Sequence, residues 1–331
     1  MGAASAEEFD MPQPRPETPT LSTSVSTGVP NTGYFGGGAT PSASSTMDKV
    51  NYSTDTSEAV PGANLSSSKD SVRAASSTTA GYFGGGNPGP VSTMNKVTYS
   101  ADTTAAVPGA NLTNQRYQAT AVMSTTAGYF CGGRAAPVNY SFIDKLTFSS
   151  DTTAALPSAA DLNGNGSSGG SRGNQLAGYT SGGWNYPGME NRTDKLNYST
   201  ETTFAVPSAY LIVARYGIRG MSSAYAGYFS GGTNEPTVLS STERLDYSTD
   251  VSAAVPSAPL PSASSDTAST SNLSSGFFLR GSSASLLTSV SKLNFVTETW
   301  SESTVQLSQA RYAFDATSAR DNVVGNVPNI L

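Results

Sequence analysis

A chain of 331 residues, 37% of them hydrophobic, is long enough to fill one large core or two ordinary ones. Only 13% of its residues are charged and the net charge is −6, so it lacks the positive field that nucleic acid or an acidic membrane would attract. Histidine is absent and Cys131 is the single cysteine, which excludes Ser-His-Asp and Cys-His catalysis, histidine-built zinc, copper or non-haem iron sites, and an intrachain disulfide.

The first residues, MGAASAEEFDMPQ, have neither the basic start nor the apolar run of an export signal, and Ala6 breaks the myristoylation pattern that would begin at Gly2. No run in the chain approaches the ~20 apolar residues needed to span a bilayer. Prolines in MPQPRPETPT (11–20) favour an extended arm over residues 1–20. TLSTSVSTG (20–28) follows as a strand candidate, and then GYFGGG at 33–38. That hexapeptide returns at 81–86, and as GYFCGG (128–133), GYTSGG (178–183), GYFSGG (227–232) and GFFLRG (276–281), a period of about 48 residues. Cys131 occupies a glycine slot of the repeat and reads as a small buried side chain.

Each hexapeptide is followed by a segment of period two. In DKVNYS (48–53), Val50 and Tyr52 share one face and Lys49 and Asn51 the other, the mark of a strand. The pattern recurs in NKVTYS, DKLTFS, DKLNYS, ERLDYS and SKLNFV, placing Lys49, Lys96, Lys145, Lys195, Arg244 and Lys292 on the more polar face. STDTS (53–57) and its counterparts then require a turn. They mark Asp55, Asp102, Asp151, Glu201, Asp250 and Glu298 as structural turn residues, whose carboxylates can accept backbone N–H groups two residues on while flanking hydroxyls do likewise. A carboxylate that recurs in every unit serves the unit's fold before calcium or catalysis. The proline after each turn, at 61, 108, 157, 207 and 256, belongs at the end of an outer strand because it has no N–H for a ladder. No segment competes at 3.6-residue spacing, so almost no helix is expected.

Units of this length with four short strands are the blades of a β-propeller. The organisation resembles the kelch family: an Arg-bearing first strand (Arg116, Arg215, Arg311), an aromatic strand ending in a glycine pair (Gly85-Gly86, Gly132-Gly133, Gly231-Gly232), a Tyr-containing third strand and a proline segment. The tryptophan usual on a kelch fourth strand survives only as Trp300, and the first strand is degenerate near 69–77, 165–175 and 264–274. The predicted fold is all-β: a six-bladed kelch-like propeller over residues 21–331, with repeats beginning near 33, 81, 128, 178, 227 and 276. ARYAFDATSA (310–319) supplies the strand that closes the ring on the first blade. A seven-bladed ring, in which 20–28 is the missing first strand and NVVGN (322–326) joins a seventh blade, is the alternative.

The glycines do not build a phosphate loop, since neither a P-loop lysine nor a helix start follows them. Function is therefore expected on the irregular loops at 164–173, 184–192 and 233–237, with Trp184, Tyr186 and Arg192 as candidate binding residues. Repeats of the type DKLNYSTDTTAAVPGA and AGYFGGG, as in DKVNYSTDTSEAVPGA (48–63) and AGYFGGG (80–86), resemble kelch-like structural proteins of tailed phages of marine cyanobacteria. That resemblance implies a non-enzymatic virion component, present in multiple copies as a head or tail decoration or fibre-associated part. It would be held to other virion proteins by the N-terminal arm, with host-surface glycan as a further partner. No cofactor, metal, nucleic acid or membrane insertion is expected from the charge, the absence of histidine and the lack of a long apolar run. Two alternatives stand beside the virion component: a freestanding carbohydrate-binding lectin, and a sialidase-like glycosidase suggested by the Asp-box-like turns.

Overall fold

The alternation read from the repeats becomes sheet. In the second repeat Arg73–Ser76, Ala80–Gly84, Met94–Thr98 and Thr103–Ala106 pair in that order as four antiparallel strands. The computed structural model describes residues 29–319 except 165, 186, 283 and 284, and it contains six such four-stranded sheets. We number these blades 1 to 6 along the chain. Their first strands are Asp315–Ser318, Arg73–Ser76, Thr120–Met123, Gly170–Gly173, Arg219–Ser222 and Ser269–Ser271, and each packs on the next around one axis, the sixth on the first.

Blade 1 draws on both ends of the described chain. Thr32–Gly36, Met47–Asn51 and Thr56–Ala59 form its outer three strands, and Asp315–Ser318 completes it, with Gly33 opposite Ser318 and Gly36 opposite Asp315. The ring is thus a six-bladed propeller, and the seven-bladed arrangement is not adopted, because the closing strand already fills the place that 20–28 would take. The predicted arm (1–20), the 20–28 segment and NVVGN lie outside the described residues.

Among the described residues helix is confined to four three-residue 3-10 turns, Pro61–Ala63, Pro108–Ala110, Ser158–Ala160 and Pro207–Ala209, each just beyond an outer strand. A hydroxyl on the next blade's outer strand binds the last carbonyl of each turn: Thr104 to Ala63, Thr153 to Ala110, Thr203 to Ala160 and Ser252 to Ala209. Trp300 stands where those hydroxyls stand and donates its indole Nε1 to Ala258 at 3.0 Å.

The blades cohere through the hexapeptide. Its aromatic pair alternates between faces: Tyr34 packs into the interface with blade 2, against Val72 and Tyr99, while Phe35 packs into the interface with blade 6, beside Phe277 and Leu279. Six hydrophobic clusters result, one per interface. The glycine pair makes the same joint in backbone. In blade 2, Gly86 donates its N–H to the Arg116 carbonyl of blade 3 at 2.9 Å, and a Cβ on Gly85, at φ +70°, would sit 2.4 Å from that oxygen. Gly38, Gly133, Gly183 and Gly232 donate equivalently to Lys69, Gly166, Arg215 and Ser264. Close approach and left-handed backbone together demand glycine here.

A second ring surrounds the axis. Just before each first strand stands one residue of positive φ: Ser71, Gln118, Ser168, Gly217, Asp266 and Ala313. Each donates its N–H to the carbonyl of the preceding one, Gln118 to Ser71 and so on to Ala313, and Ser71 closes the circle on Ala313. The five bonds from Gln118 to Ala313 measure 2.6–3.0 Å. Five of the six residues are not glycine. Left-handed backbone costs an L-residue about 1 kcal/mol, so the circle of bonds must offset strain at nearly every member.

Candidate functional site

The turn carboxylates come together with the third-strand cations, although the two lie in different blades. Lys49 pairs with Asp102 at 2.7 Å, Lys96 with Asp151 at 2.7 Å, Lys145 with Glu201, Lys195 with Asp250 at 2.6 Å, Arg244 with Glu298 at 3.2 Å and Lys292 with Asp55 at 2.9 Å. Each cation belongs to one blade and each carboxylate to the next, and the last pair joins blade 6 to blade 1. The circuit therefore closes on itself. A second-strand tyrosine adds a phenol to the same carboxylate: Tyr34 on Asp102 at 2.5 Å, Tyr82 on Asp151 at 2.6 Å, Tyr179 on Asp250 at 2.5 Å and Tyr228 on Glu298 at 3.0 Å. Burial and the neighbouring Glu201 push the Tyr129 phenol up to about 12. Blade 6 carries Phe277 at this position, so Asp55 keeps both oxygens for Lys292.

All six carboxylate residues have φ between 50° and 56° and stand at the turn into the outer strand. Their side chains do not take the N–H two residues on. That bond is made four residues earlier, by Asn51 with Ser53, Asn197 with Ser199 and Asp246 with Ser248, and hydroxyl pairs such as Thr54 with Thr56 brace the turn. The carboxylates are left to reach across to the preceding blade. At Asp151 burial opposes ionisation, but the hydrogen bonds from Lys96 and Tyr82 prevail and hold its carboxyl below the usual range.

Aromatic stacks accompany every pair. Tyr34 lies on Tyr99, Tyr82 on Phe148, Tyr129 on Tyr198, Tyr179 on Tyr247 and Tyr228 on Phe295, and Tyr52 meets Phe277 tilted by 33°, with ring centroids 4.8–5.5 Å apart. Offset stacking contributes roughly 0.5–1.5 kcal/mol per pair beyond burial, more than the part-exposed ion pairs at about 0.2–1 kcal/mol each. The carboxylates act mainly as registers between blades.

Arg116, Arg215 and Arg311 are not on first strands. Each lies in the approach four residues earlier, because its side chain must dive into the blade to meet a third-strand acid: Asp144 at 2.9 Å, Glu243 at 2.6 Å and Asp48 at 2.7 Å. All three are buried and lie in different blades, so they do not converge as an arginine cluster for sialic acid would. Burial lowers each guanidinium pKa, partly countered by its acid partner. Blades 2, 4 and 6 depart from this, blade 6 having Ser264 and Ser291 in the two places. Blade 2 has Lys69 with Asn95, and burial brings the Lys69 ammonium down to about 8. Blade 4 keeps the acid, Asp194, but has Gly166 in the arginine's place, leaving a small cavity of about 30 Å³; burial raises the Asp194 carboxyl.

Of the three candidate binding residues, Tyr186 lies outside the described residues. Trp184 meets Tyr216 of blade 5 edge-on at a centroid distance of 5.6 Å, and Tyr216 donates to Glu235 at 3.0 Å. Arg192 donates to the Asn163 carbonyl at 2.5 Å beside Asp194 and so belongs to the blade 4 cavity rather than to the tryptophan. Trp184 and Arg192 share a hairpin, Ala177–Asn185 with Gly188–Asn197, and make separate contacts. Cys131 is buried on its second strand, and burial pushes its thiol up to about 12. Among the described residues no group of three or more His, Cys, Asp or Glu is placed to hold a metal, and no helix is long and apolar enough to cross a membrane. No protein-family model matches the chain, and no curated protein matches it. A propeller fold is compatible with binding and with structural roles.

The Lys-to-carboxylate circuit had a signal in the sequence. Opposite charges recur at two fixed positions of every repeat, just over one period apart. The glycine clamps showed as the repeated glycine pair, whereas the backbone circle had no signal, because its bonds involve no side chain.

Proposed function

We propose that this chain is a non-enzymatic structural component of a tailed-phage particle, joined to other virion proteins through residues 1–20 and displaying the propeller in multiple copies. The observation that carries the structural reading is the use of the repeat's polar groups: each turn carboxylate, the residue type a propeller glycosidase would need free, is engaged by the cation and, in four blades, the phenol of its neighbour. A ring cross-linked at every interface is a stiff platform whose loops are available for contact. The phage assignment rests on the resemblance of the repeat wording. Removing residues 1–20 leaves a folded ring that no longer joins particles; particles that still incorporate the truncated chain at full occupancy overturn the proposal.

A second reading, carbohydrate binding, is favoured by the half-buried Trp184 set against Tyr216. It predicts binding on a glycan array that Trp184→Ala abolishes, and a silent array counts against it.

A further inference from the structure

The axial channel holds a cavity of about 80 Å³ lined by residues of all six blades. Its wall carries three arginines, Arg73, Arg172 and Arg219, against one carboxylate, Asp315. Each arginine is at most 5% exposed. Arg172 places its guanidinium carbon over the Phe229 ring, 4.6 Å from the centroid, and gives its Nε to the Tyr228 carbonyl. Arg219 likewise gives its Nε to the Thr267 carbonyl at 2.6 Å. Arg73 and Arg219 hold the same position in their strands, opposite Gly84 and Ser230, in blades 2 and 5, which face each other across the axis. Each turns Nη1 back to the carbonyl before it, Val72 and Ile218, both at 2.8 Å.

Among the described residues neither of these two is ion-paired. Asp315 is occupied by backbone, accepting the N–H of Ala74 at 2.9 Å and of Ala316 at 3.0 Å. Asp266, the other nearby acid, belongs to the backbone circle at the approach to the strands. Burial and the like charge of Arg219 bring the Arg73 guanidinium down to about 9, against the opposing charges of Asp315 and Asp266. A guanidinium presents its N–H groups as a planar fork that matches an oxyanion.

We propose that the propeller axis is a binding site for a small oxyanion, a phosphate, sulfate or carboxylate group held between Arg73 and Arg219. A cavity needs roughly 10–15 Å³ of such space to hold one water, so this one has room for a small oxyanion. The site does not depend on the virion reading.

Calorimetry on the full chain at constant ionic strength tests it, with sodium sulfate and phosphate as inorganic probes and galacturonate as a sugar acid. Saturable one-to-one binding of an inorganic probe identifies a free anion as ligand, and binding of galacturonate in competition with sulfate identifies the acidic group of a sugar; either supports the site. Arg73→Gln and Arg219→Gln each weaken binding at least about ten-fold, the loss of one charge-assisted contact. Should a variant fail to fold, selenate soaked into crystals of the unaltered chain gives an anomalous peak on the axis between the two guanidinium groups. No saturable binding of any probe, unchanged affinity in both folded variants, or selenate peaks only elsewhere overturns the proposal.

Discussion

Removing one carboxylate's charge in blade 3 and in blade 4 produces opposite results. In blade 3 the Asp144 and Arg116 side chains are both fully buried and 2.9 Å apart. Asp144→Asn leaves the guanidinium with the Phe130 carbonyl at 3.1 Å and the Phe142 ring face at 4.5 Å, and its Nε and Nη1 already have no hydrogen-bond partner. Stranding a buried charge costs about 3–5 kcal/mol, equivalent to roughly 4–7 °C in melting temperature for a chain of this size. Asp194→Asn in blade 4 strands nothing. Asp194 accepts the backbone N–H of Asn163 at 3.1 Å and its side-chain amide at 3.0 Å, and an asparagine can keep the first bond and exchange roles in the second. Blade 2 already houses Asn95 in this position, bonded to Ser66. The Asp194 variant should therefore melt within about 1 kcal/mol of the parent, or above it. Urea titration at pH 7 followed by circular dichroism measures both. Equal losses in the two variants, or an unaffected Asp144 variant, would refute the reasoning.

The same residue sets a pH dependence. The folded Asp194 carboxyl lies above its ordinary 3.8, so its contribution is fully present below that value and is lost as pH rises through the folded pKa; the advantage of Asp194→Asn over the parent should open above pH 3.8 and vanish below it. A melting-temperature series from pH 3 to 8 that shows a constant offset contradicts this. Gly85→Ala places a methyl 2.4 Å from the Arg116 carbonyl at a φ of +70° and should cost at least about 3 kcal/mol, whereas Gly89→Ala, where no atom lies within 4 Å of the added carbon, costs only its backbone strain of about 1 kcal/mol. Chain ended at residue 309 loses the strand that pairs with Thr32–Gly36 and exposes blade 1 and blade 6 to each other's missing partner; gel filtration should show association or unfolding, and a monodisperse folded ring would contradict closure by that strand.

The second and third strands were legible because they repeat almost letter for letter and alternate with period two. First strands were poorly legible in blades 2, 4 and 6. RAAS, GSRG and STS are hemmed in by neighbouring strands and the axis, so nearly every residue is small or buried and no polar face alternates with an apolar one. The arginines of blades 1, 3 and 5 were visible as a repeated position but assigned to the wrong segment, since a buried ion pair fixes where a side chain ends and not which backbone carries it. Arg73 and Arg219 carried no signal, because each is a departure from the repeat: the same position is Thr120 in blade 3 and Asp315 in blade 1. Trp184 was conspicuous by rarity, yet its partner Tyr216 is brought to it only by the neighbouring blade's approach to the axis.

The central claim, a structural role in a phage particle, is tested most directly by peptide mass spectrometry of tailed particles purified on a density gradient from a lysate that expresses this chain. The account predicts that the chain bands with the major capsid and tail proteins in multiple copies per particle and stays there through a high-salt wash. Recovery of the chain only in the soluble fraction, with particles free of it, would contradict that role.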